Sequence, residues 1–333
     1  MSAETAATVS PEPLLEALGL EKEYAVRRGL FGSRTASLPA LRGVDFAIAA
    51  GRTLGLVGES GSGKTTAGRI VARLTEPHAG SIRFGGADWL ALGGRELRRR
   101  RRDLQVVFQD PQTSLNPRMR AADQIAEPLR VQGLARGREL RERVRQLLED
   151  VGLPPESGDR LPRELSGGQR QRVAIARALA TEPRLVVCDE PVSALDVSVA
   201  AQIVNLLLDL RERAGLSYLF ISHDLAVVSR IADRIAVLYL GRVVEEGPTG
   251  EVSARPLHPY TYALVAAAPD PDPSARTALI LPGEPPSAAE PPPGCPFHPR
   301  CPIARQRCRE ERPRLTEVSR DRRVACFFPG EMP

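Results

Sequence analysis

With 333 residues, 42% of them hydrophobic and 26% charged, the chain can bury a large core, as one main domain with an appendage or as two domains. Its most apolar segments, such as Ile203 to Leu210, fall short of the ~18 to 20 residues that span a bilayer, and Glu4 and Glu12 stand where a secretory signal would be basic and then apolar, so the chain reads as cytoplasmic. A net charge of +5 is small beside 46 basic and 41 acidic residues; it permits contact with nucleic acid or lipid headgroups and selects neither.

Taken in chain order, Thr53-Leu-Gly-Leu-Val57 reads as a strand that runs into a glycine-rich turn and then a helical pattern from Lys64 through Leu74. That is the strand, loop, helix order of a phosphate-binding fold. The run Arg98 to Arg102 is the one dense basic patch, open to two readings: a solvated helix face or a contact with anionic lipid. No aromatic residues interleave with it, which speaks against nucleic acid. From Pro111 to Pro162 the sequence becomes charged and helix-compatible, including Ala135 to Asp150, and predicts an inserted helical subdomain. Leu165-Ser166-Gly167-Gly168-Gln169 then opens a helical stretch from Arg170 to Ala180. Leu185 to Cys188 and Ser217 to Ser222 are short apolar runs without alternation, suited to strands buried on both faces of a parallel sheet. The first ends in two carboxylates and the second at His223. Nine prolines between Pro269 and Pro293 forbid a continued helix or central strand and predict an extended linker, beyond which lies a short cysteine-bearing segment.

The chemistry concentrates in the glycine turn. Gly58-Glu-Ser60-Gly61-Ser-Gly63-Lys64-Thr65 follows the pattern Gly, four residues, Gly-Lys-Thr, which aims successive backbone N–H groups at a polyphosphate. Lys64 is expected on the β and γ phosphates and the Thr65 hydroxyl on Mg2+. By itself such a loop shows only that ATP or GTP can bind. A helix-capping serine with two glycines is, alone, more often a turn than a site, and an Asp-Glu pair closing a strand is, alone, a solvated terminus. A lone histidine is more often structural.

In this order along one chain, however, the motifs resemble the ATP-binding cassette (ABC) family from about Leu14 to Thr261. The resemblance implies an α/β fold of the P-loop NTPase type: a RecA-like parallel-sheet core with an antiparallel β subdomain and an inserted helical subdomain. It implies a nucleotide-binding domain over 14–262 with the helical insertion at about 111–164, a Pro-rich linker over 263–293 and a cysteine-bearing extension over 294–330. In that family two cassettes sandwich two ATP molecules, so Ser166, Gly167, Gly168 and Gln169 of one subunit meet the γ-phosphate held by Gly58, Ser60, Gly61, Gly63, Lys64, Thr65 and Thr66 of the other. Asp189 is expected to hold Mg2+ together with Thr65 and Gln109, Glu190 to polarise the attacking water, and His223 to contact the γ-phosphate. Asp196, in Ser193-Ala-Leu-Asp196, belongs to the loop that couples the two sites. Tyr24 is expected to stack on adenine, with simple packing at the edge of a β region as the alternative. Cys188, inside a strand, reads as a small hydrophobe.

Three further segments resemble the oligopeptide and dipeptide importers within the family. They are Asp110-Pro-Gln-Thr-Ser-Leu-Asn-Pro-Arg-Met119, the pair Leu257-His-Pro-Tyr-Thr261 and Leu281-Pro-Gly-Glu-Pro-Pro-Ser287, and the segment carrying Cys295, Cys301, Cys308 and Cys326. Five, six and seventeen residues separate successive cysteines, and Arg323 stands where many relatives have histidine. In a reducing compartment four such cysteines point to metal sooner than to disulfides. The subfamily is associated with a [4Fe-4S] cluster here; zinc and free thiols stay open as alternatives. The resemblance implies an ATPase coupled to transmembrane transport at the cytoplasmic face of the membrane. Its partners are two transmembrane permease subunits, a second ABC ATPase subunit, in a heterodimer sooner than a homodimer, and an extracytoplasmic substrate-binding protein, with no nucleic acid. Nickel chelates or glutathione are the alternative cargo. A soluble ABC ATPase without transport is disfavoured by the single phosphate loop and the lack of sustained heptads, and a catalytically dead regulatory cassette by intact Lys64, Glu190 and His223.

Overall fold

Two short apolar runs and their neighbours build the core, as a computed structural model of the chain, which describes residues 12–28, 34–267 and 283–332, makes plain. Strands β1 (Leu15–Arg28), β2 (Arg34–Ile48), β4 (Ala79–Phe84) and β5 (Ala87–Asp88) form an antiparallel sheet in the order β2-β1-β4-β5. A second sheet is built around β3 (Thr53–Val57), β6 (Leu104–Val107), β7 (Leu185–Asp189), β8 (Ser217–Ser222) and β9 (Arg234–Tyr239). Its order is β11-β12-β10-β9-β3-β8-β7-β6, where β10 is Arg242–Pro248, β11 Thr316–Ser319 and β12 Arg322–Val324. From β9 to β6 every pairing is parallel. From β9 to β11 every pairing is antiparallel.

Alternation along the central strands divides the interior in two. Leu54, Leu56, Val187, Leu219, Ile221 and Leu238 pack with Leu15, Leu20, Val44 and Ile48 of the antiparallel sheet and with Ile70 of α1 (Lys64–Val71). Val57, Val186, Cys188, Phe220 and Val237 face the opposite way, toward the helices. Every residue of β3, β7 and β8 is buried, which is why these runs are apolar throughout. Burial pushes the Cys188 thiol above its ordinary range, in keeping with its role as a small core residue.

Between β6 and β7 lie α3 (Pro111–Ser114), α4 (Ala121–Val131), α5 (Gly137–Asp150) and α6 (Gly167–Leu179), the last opening at the glycines themselves. After β7 come α7 (Val197–Ala214), α8 (Leu225–Ile231), α9 (Thr249–Ala254) and α10 (Pro259–Ala266). The phosphate-loop helix is shorter than the sequence predicts: it stops at Val71, because Arg73 takes a left-handed φ of 53° and Leu74 turns outward. The arginine run spans α2 (Gly94–Arg100) and a following 3-10 turn; most of it faces solvent, with Arg100 and Arg102 beside Asp103 at 3.6 and 3.4 Å.

The cysteine segment departs most from expectation. Read from sequence it is a separate module beyond a linker, yet β12 pairs with β10 through Glu245↔Val324 and Glu246↔Arg323, so the tail continues the core sheet. Phe297 is fully buried in the main core against Tyr239 and Tyr260, at ring separations of 5.3 and 5.5 Å. A buried ion pair locks the junction: Arg322 Nη2 donates to Glu245 at 2.7 Å, while the same carboxylate accepts the Leu257 and His258 backbone N–H groups at 3.0 and 2.8 Å. Residues 268–282 of the expected linker, Leu281 among them, and residues 29–33 lie outside the described residues.

Candidate functional site

Four parallel strands end at the same edge of the sheet, and each delivers one expected group. The turn after β3 carries Gly58 to Gly63, with Thr65 and Thr66 on the first turn of α1. Gly58 and Gly63 are forced: a Cβ would meet Leu238 O at 2.2 Å in one case and Ala40 O at 2.4 Å in the other, and φ is +155° and +108°. At Gly61, with φ +80°, the space beyond is open. Ser60 and Gly61 are exposed at the mouth of the turn. Lys64 is 4% exposed and folds back over the loop, donating to Gly58 O at 2.6 Å and Glu59 O at 2.9 Å. Burial lowers its pKa, opposed by the charges of Glu190, Asp189 and Glu59. Its ammonium is thus a buried cation solvated by carbonyls, ready to exchange them for anionic oxygens.

Asp189 closes β7, and its Oδ1 accepts the Thr65 hydroxyl at 2.9 Å. Burial raises its pKa, opposed chiefly by that hydrogen bond. A carboxylate and a hydroxyl held together are hard oxygen donors of the kind Mg2+ takes, and Asp189 with Thr65 therefore fits it. Glu190 follows with a left-handed φ of 46°, uncommon outside glycine, and its N–H is tied to Ile221 O at 2.9 Å. That turn throws its carboxylate between two groups from neighbouring strands. Gln109, just past β6, donates to Oε2 at 2.9 Å, and His223, just past β8, brings Nδ1 within 3.4 Å of Oε1. Gln109 and His223 are exposed while Glu190 is partly covered, so the carboxylate is held at the rim of an open site.

The remaining expected residues stand apart. Ser166 caps α6 in a reciprocal box: Gln169 N–H donates to Ser166 Oγ at 3.2 Å and Ser166 N–H to Gln169 Oε1 at 3.0 Å. Among the described residues none of its hydrogen bonds reaches Lys64, Asp189 or Glu190. Gly167 and Gly168 instead lie against the next expected loop and the first turn of α7, where added Cβ atoms would lie 3.3 Å from Leu195 Cδ2 and 2.6 Å from Val199 Cγ1 respectively. Asp196 caps α7, accepting Val199 N–H at 3.0 Å and the Ser198 hydroxyl at 2.8 Å, and these bonds hold its carboxyl below the usual range. Tyr24 lies on β1 opposite Leu38, half-buried, with Lys22 Nζ 5.6 Å from its ring centre.

Two contacts on the phosphate loop come from residues the sequence does not single out. Glu59 N–H donates to the Tyr260 hydroxyl at 2.7 Å, and the Glu59 carboxylate takes both Arg300 terminal nitrogens at 2.7 and 2.9 Å. The glutamate is visible inside the motif. Its partner, 241 residues away, is not.

Cys295, Cys301, Cys308 and Cys326 line one small apolar cavity of about 10 Å3, with Phe297, Phe327 and Phe328 among its walls. Burial pushes the Cys295 and Cys301 thiols up to about 11 and raises Cys326. Among the described residues no three His, Cys, Asp or Glu side chains stand close enough to share a metal ion, so the expected cluster ligands converge on one cavity without forming a metal site in this packing. The void is near the lower limit for one water molecule.

Residues 41–193 match the family described as ABC transporter, and residues 244–308 the one described as oligopeptide/dipeptide transporter, C-terminal region. A Brucella ovis chain named as a peptide import ATP-binding protein is 54% identical over 316 residues, covering 95% of this chain and 98% of that one. The dipeptide transport ATP-binding protein DppF of Haemophilus influenzae is 48% identical over 316 residues, with 95% and 96% covered. Among solved structures, an ATP-binding cassette captured as a dimer in a post-hydrolysis state, bound to ADP and Pi, superposes with a TM-score of 0.63 at 32% identity, covering 71% of this chain and 98% of that chain.

Proposed function

The chain belongs to the ATP-binding cassette transporter family, and from that premise we propose that it is the ATP-hydrolysing subunit that energises import of oligopeptides or dipeptides. The single observation that carries hydrolysis is the placement of Glu190, turned by its own strained backbone toward Gln109 on one side and His223 on the other.

In this reading Gly58 to Thr66 cradle the phosphates, Lys64 exchanges its carbonyl partners for β and γ oxygens, and Tyr24 stacks on adenine. Thr65, Asp189 and Gln109 would hold Mg2+, which when bound supplies positive charge to the phosphoryl oxygens. Glu190 accepts a hydrogen bond from the attacking water and orients it in line with the γ-phosphorus. The water oxygen bonds to phosphorus as the bond to the leaving ADP oxygen breaks, and His223 donates to the γ oxygens as charge develops. Ser166 to Gln169 and Asp196 serve the second ATP of a paired cassette. The exposure of Ser166 and Asp196 supports a role toward another chain.

The domain bounds that go with this function are 14–262 for the cassette, with its helical insertion at about 111–164, 263–293 for the linker and 294–330 for the extension, with one correction: residues 263–266 complete α10 and belong to the cassette. The partners are two permease subunits, a second cassette chain, in a heterodimer sooner than a homodimer, and an extracytoplasmic binding protein, with this chain peripheral at the cytoplasmic face. Among the described residues no helix is long and apolar enough to cross a membrane. For the four cysteines the [4Fe-4S] reading requires the thiols to draw together, and zinc or free thiols are its competitors. Iron and zinc content of an anaerobic preparation, with its visible absorbance, decides among the three.

The function is tested on the assembled transporter in vesicles. ATP-dependent uptake of labelled di- and oligopeptides that stops with Glu190→Gln supports it; uptake of a nickel chelate or glutathione with peptides ignored would replace the cargo. Peptide uptake undiminished by Glu190→Gln would overturn the role of this chain.

A further inference from the structure

A glutamate within an anion-binding loop is an electrostatic oddity. Glu59 sits directly after Gly58, its backbone carbonyl already accepts from Lys64 Nζ at 2.9 Å, and its carboxylate lies on the same short turn that must receive a polyphosphate. Left free, that carboxylate repels the phosphates and competes with them for Lys64. It is not free. Arg300 is 6% exposed and forks onto both carboxylate oxygens, the two-pronged geometry that neutralises and orients a carboxylate at once.

Arg300 is itself held by the cysteine segment. It closes a turn in which His298 N–H donates to Cys295 O at 3.0 Å, Arg300 N–H to Phe297 O at 3.0 Å and Cys301 N–H to His298 O at 3.3 Å. Cys295 N–H in turn donates to Cys308 O at 2.8 Å, and Phe297 anchors the turn in the aromatic cluster with Tyr239 and Tyr260. The Tyr260 hydroxyl, from that same cluster, accepts Glu59 N–H at 2.7 Å. One buried assembly therefore grips both the side chain and the backbone of Glu59.

We propose that Arg300 and Tyr260 are positioning residues for ATP binding, through which the cysteine-bearing tail clamps the phosphate loop and sets the affinity for nucleotide. The proposal rests on reading Gly58 to Thr65 as the ATP phosphate loop. The tail becomes a part of the nucleotide site without touching the nucleotide. Whatever reshapes the Cys295 to Cys301 turn reaches the loop through Arg300.

The test is ATPase kinetics and fluorescent-ATP binding on the full chain in its transporter complex. Arg300→Gln is expected to raise KM and Kd for ATP about tenfold, with kcat within about twofold. Arg300→Lys recovers part of the loss, because one ammonium replaces the charge without the fork. Glu59→Gln in the Arg300→Gln background restores affinity toward that of Glu59→Gln alone, since the unmatched charge is then gone. Tyr260→Phe, which keeps the ring and deletes the acceptor, raises KM in the same direction and serves should Arg300→Gln not fold. Unchanged KM in folded Arg300→Gln or Tyr260→Phe, or additive losses in the double variant, would overturn the clamp. Failure of the phosphate-loop reading shows differently: Lys64→Ala would bind ATP like the parent.

Discussion

The two ends of the eight-stranded sheet solve the problem of polar groups in opposite ways. At the parallel end β6, β3, β7 and β8 stop together, and Gln109, Lys64, Asp189, Glu190 and His223 meet each other through few bonds, a strained backbone and an open rim. At the antiparallel end Glu245 is wholly buried, and Arg322 with two backbone N–H groups surrounds it. One end keeps its charges available for a ligand; the other consumes them in holding the tail. The difference teaches that buried charge by itself does not mark a reactive centre, whereas charge left partly unmatched at converging strand ends does.

The sharpest way to break this contrast is Glu190→Gln. It should cut kcat by about 10²- to 10⁴-fold while ATP binding and melting temperature hold, as a steady-state assay beside a binding titration will show. If turnover survives, the open end is not where water is activated. Arg322→Ala attacks the closed end and should cost about 3 to 5 kcal/mol in chemical denaturation, because Glu245 is stranded without its counter-charge. Neutralising both while keeping an acceptor for the Leu257 and His258 N–H groups, Arg322→Met with Glu245→Gln, should recover much of that; equal losses in single and double variants would mean the charge pair is not what holds the tail.

Acid probes the same end more gently. Burial lowers the His258 pKa from 6.5 to about 3, and its ring accepts Tyr260 N–H, so the folded chain keeps it neutral. Its contribution to stability is complete above pH 6.5 and drains away as pH falls from 6.5 toward 3, where only the unfolded chain takes up the proton. Melting temperature against pH should therefore fall less steeply across that window for His258→Gln than for the parent. The smallest effect is expected at Ser166→Ala, which removes a cap worth about 1 kcal/mol. An ATPase loss well beyond that small destabilisation would separate a role in a shared site from capping alone; turnover falling only in step with stability would leave capping as its whole function.

Much of the open end is legible in the sequence. Thr53–Val57 and Ser217–Ser222 read as strands because they are apolar without alternation, and their burial on both faces explains why. The expected phosphate loop stands out because phosphate chemistry demands particular residue types in a local pattern, glycines with a lysine beside them; Gln109, Asp189, Glu190 and His223 stand out only through the family resemblance. The closed end is hidden for physical reasons. Thr316–Ser319 is exposed throughout and carries no hydrophobic signature of a strand; its pairing is decided by β12, whose own apolar content is one buried valine. The Glu59 to Arg300 contact joins residues that no local pattern connects. Ser166 and Asp196 were legible as motif members, while their bonds show them acting as helix caps first.

The docking of β12 on β10 also bears on how copies of this chain avoid one another. A strand such as Arg242–Pro248, left at the border of a sheet, would offer a row of unpaired amide and carbonyl groups to any passing strand. Here β12 of the same chain occupies part of that row, and the new border is the short, exposed β11, followed by Arg320 and Asp321. Cutting the tail away would therefore uncover an adhesive edge, and the first symptom of its loss would be self-association of the chain in concentrated solution.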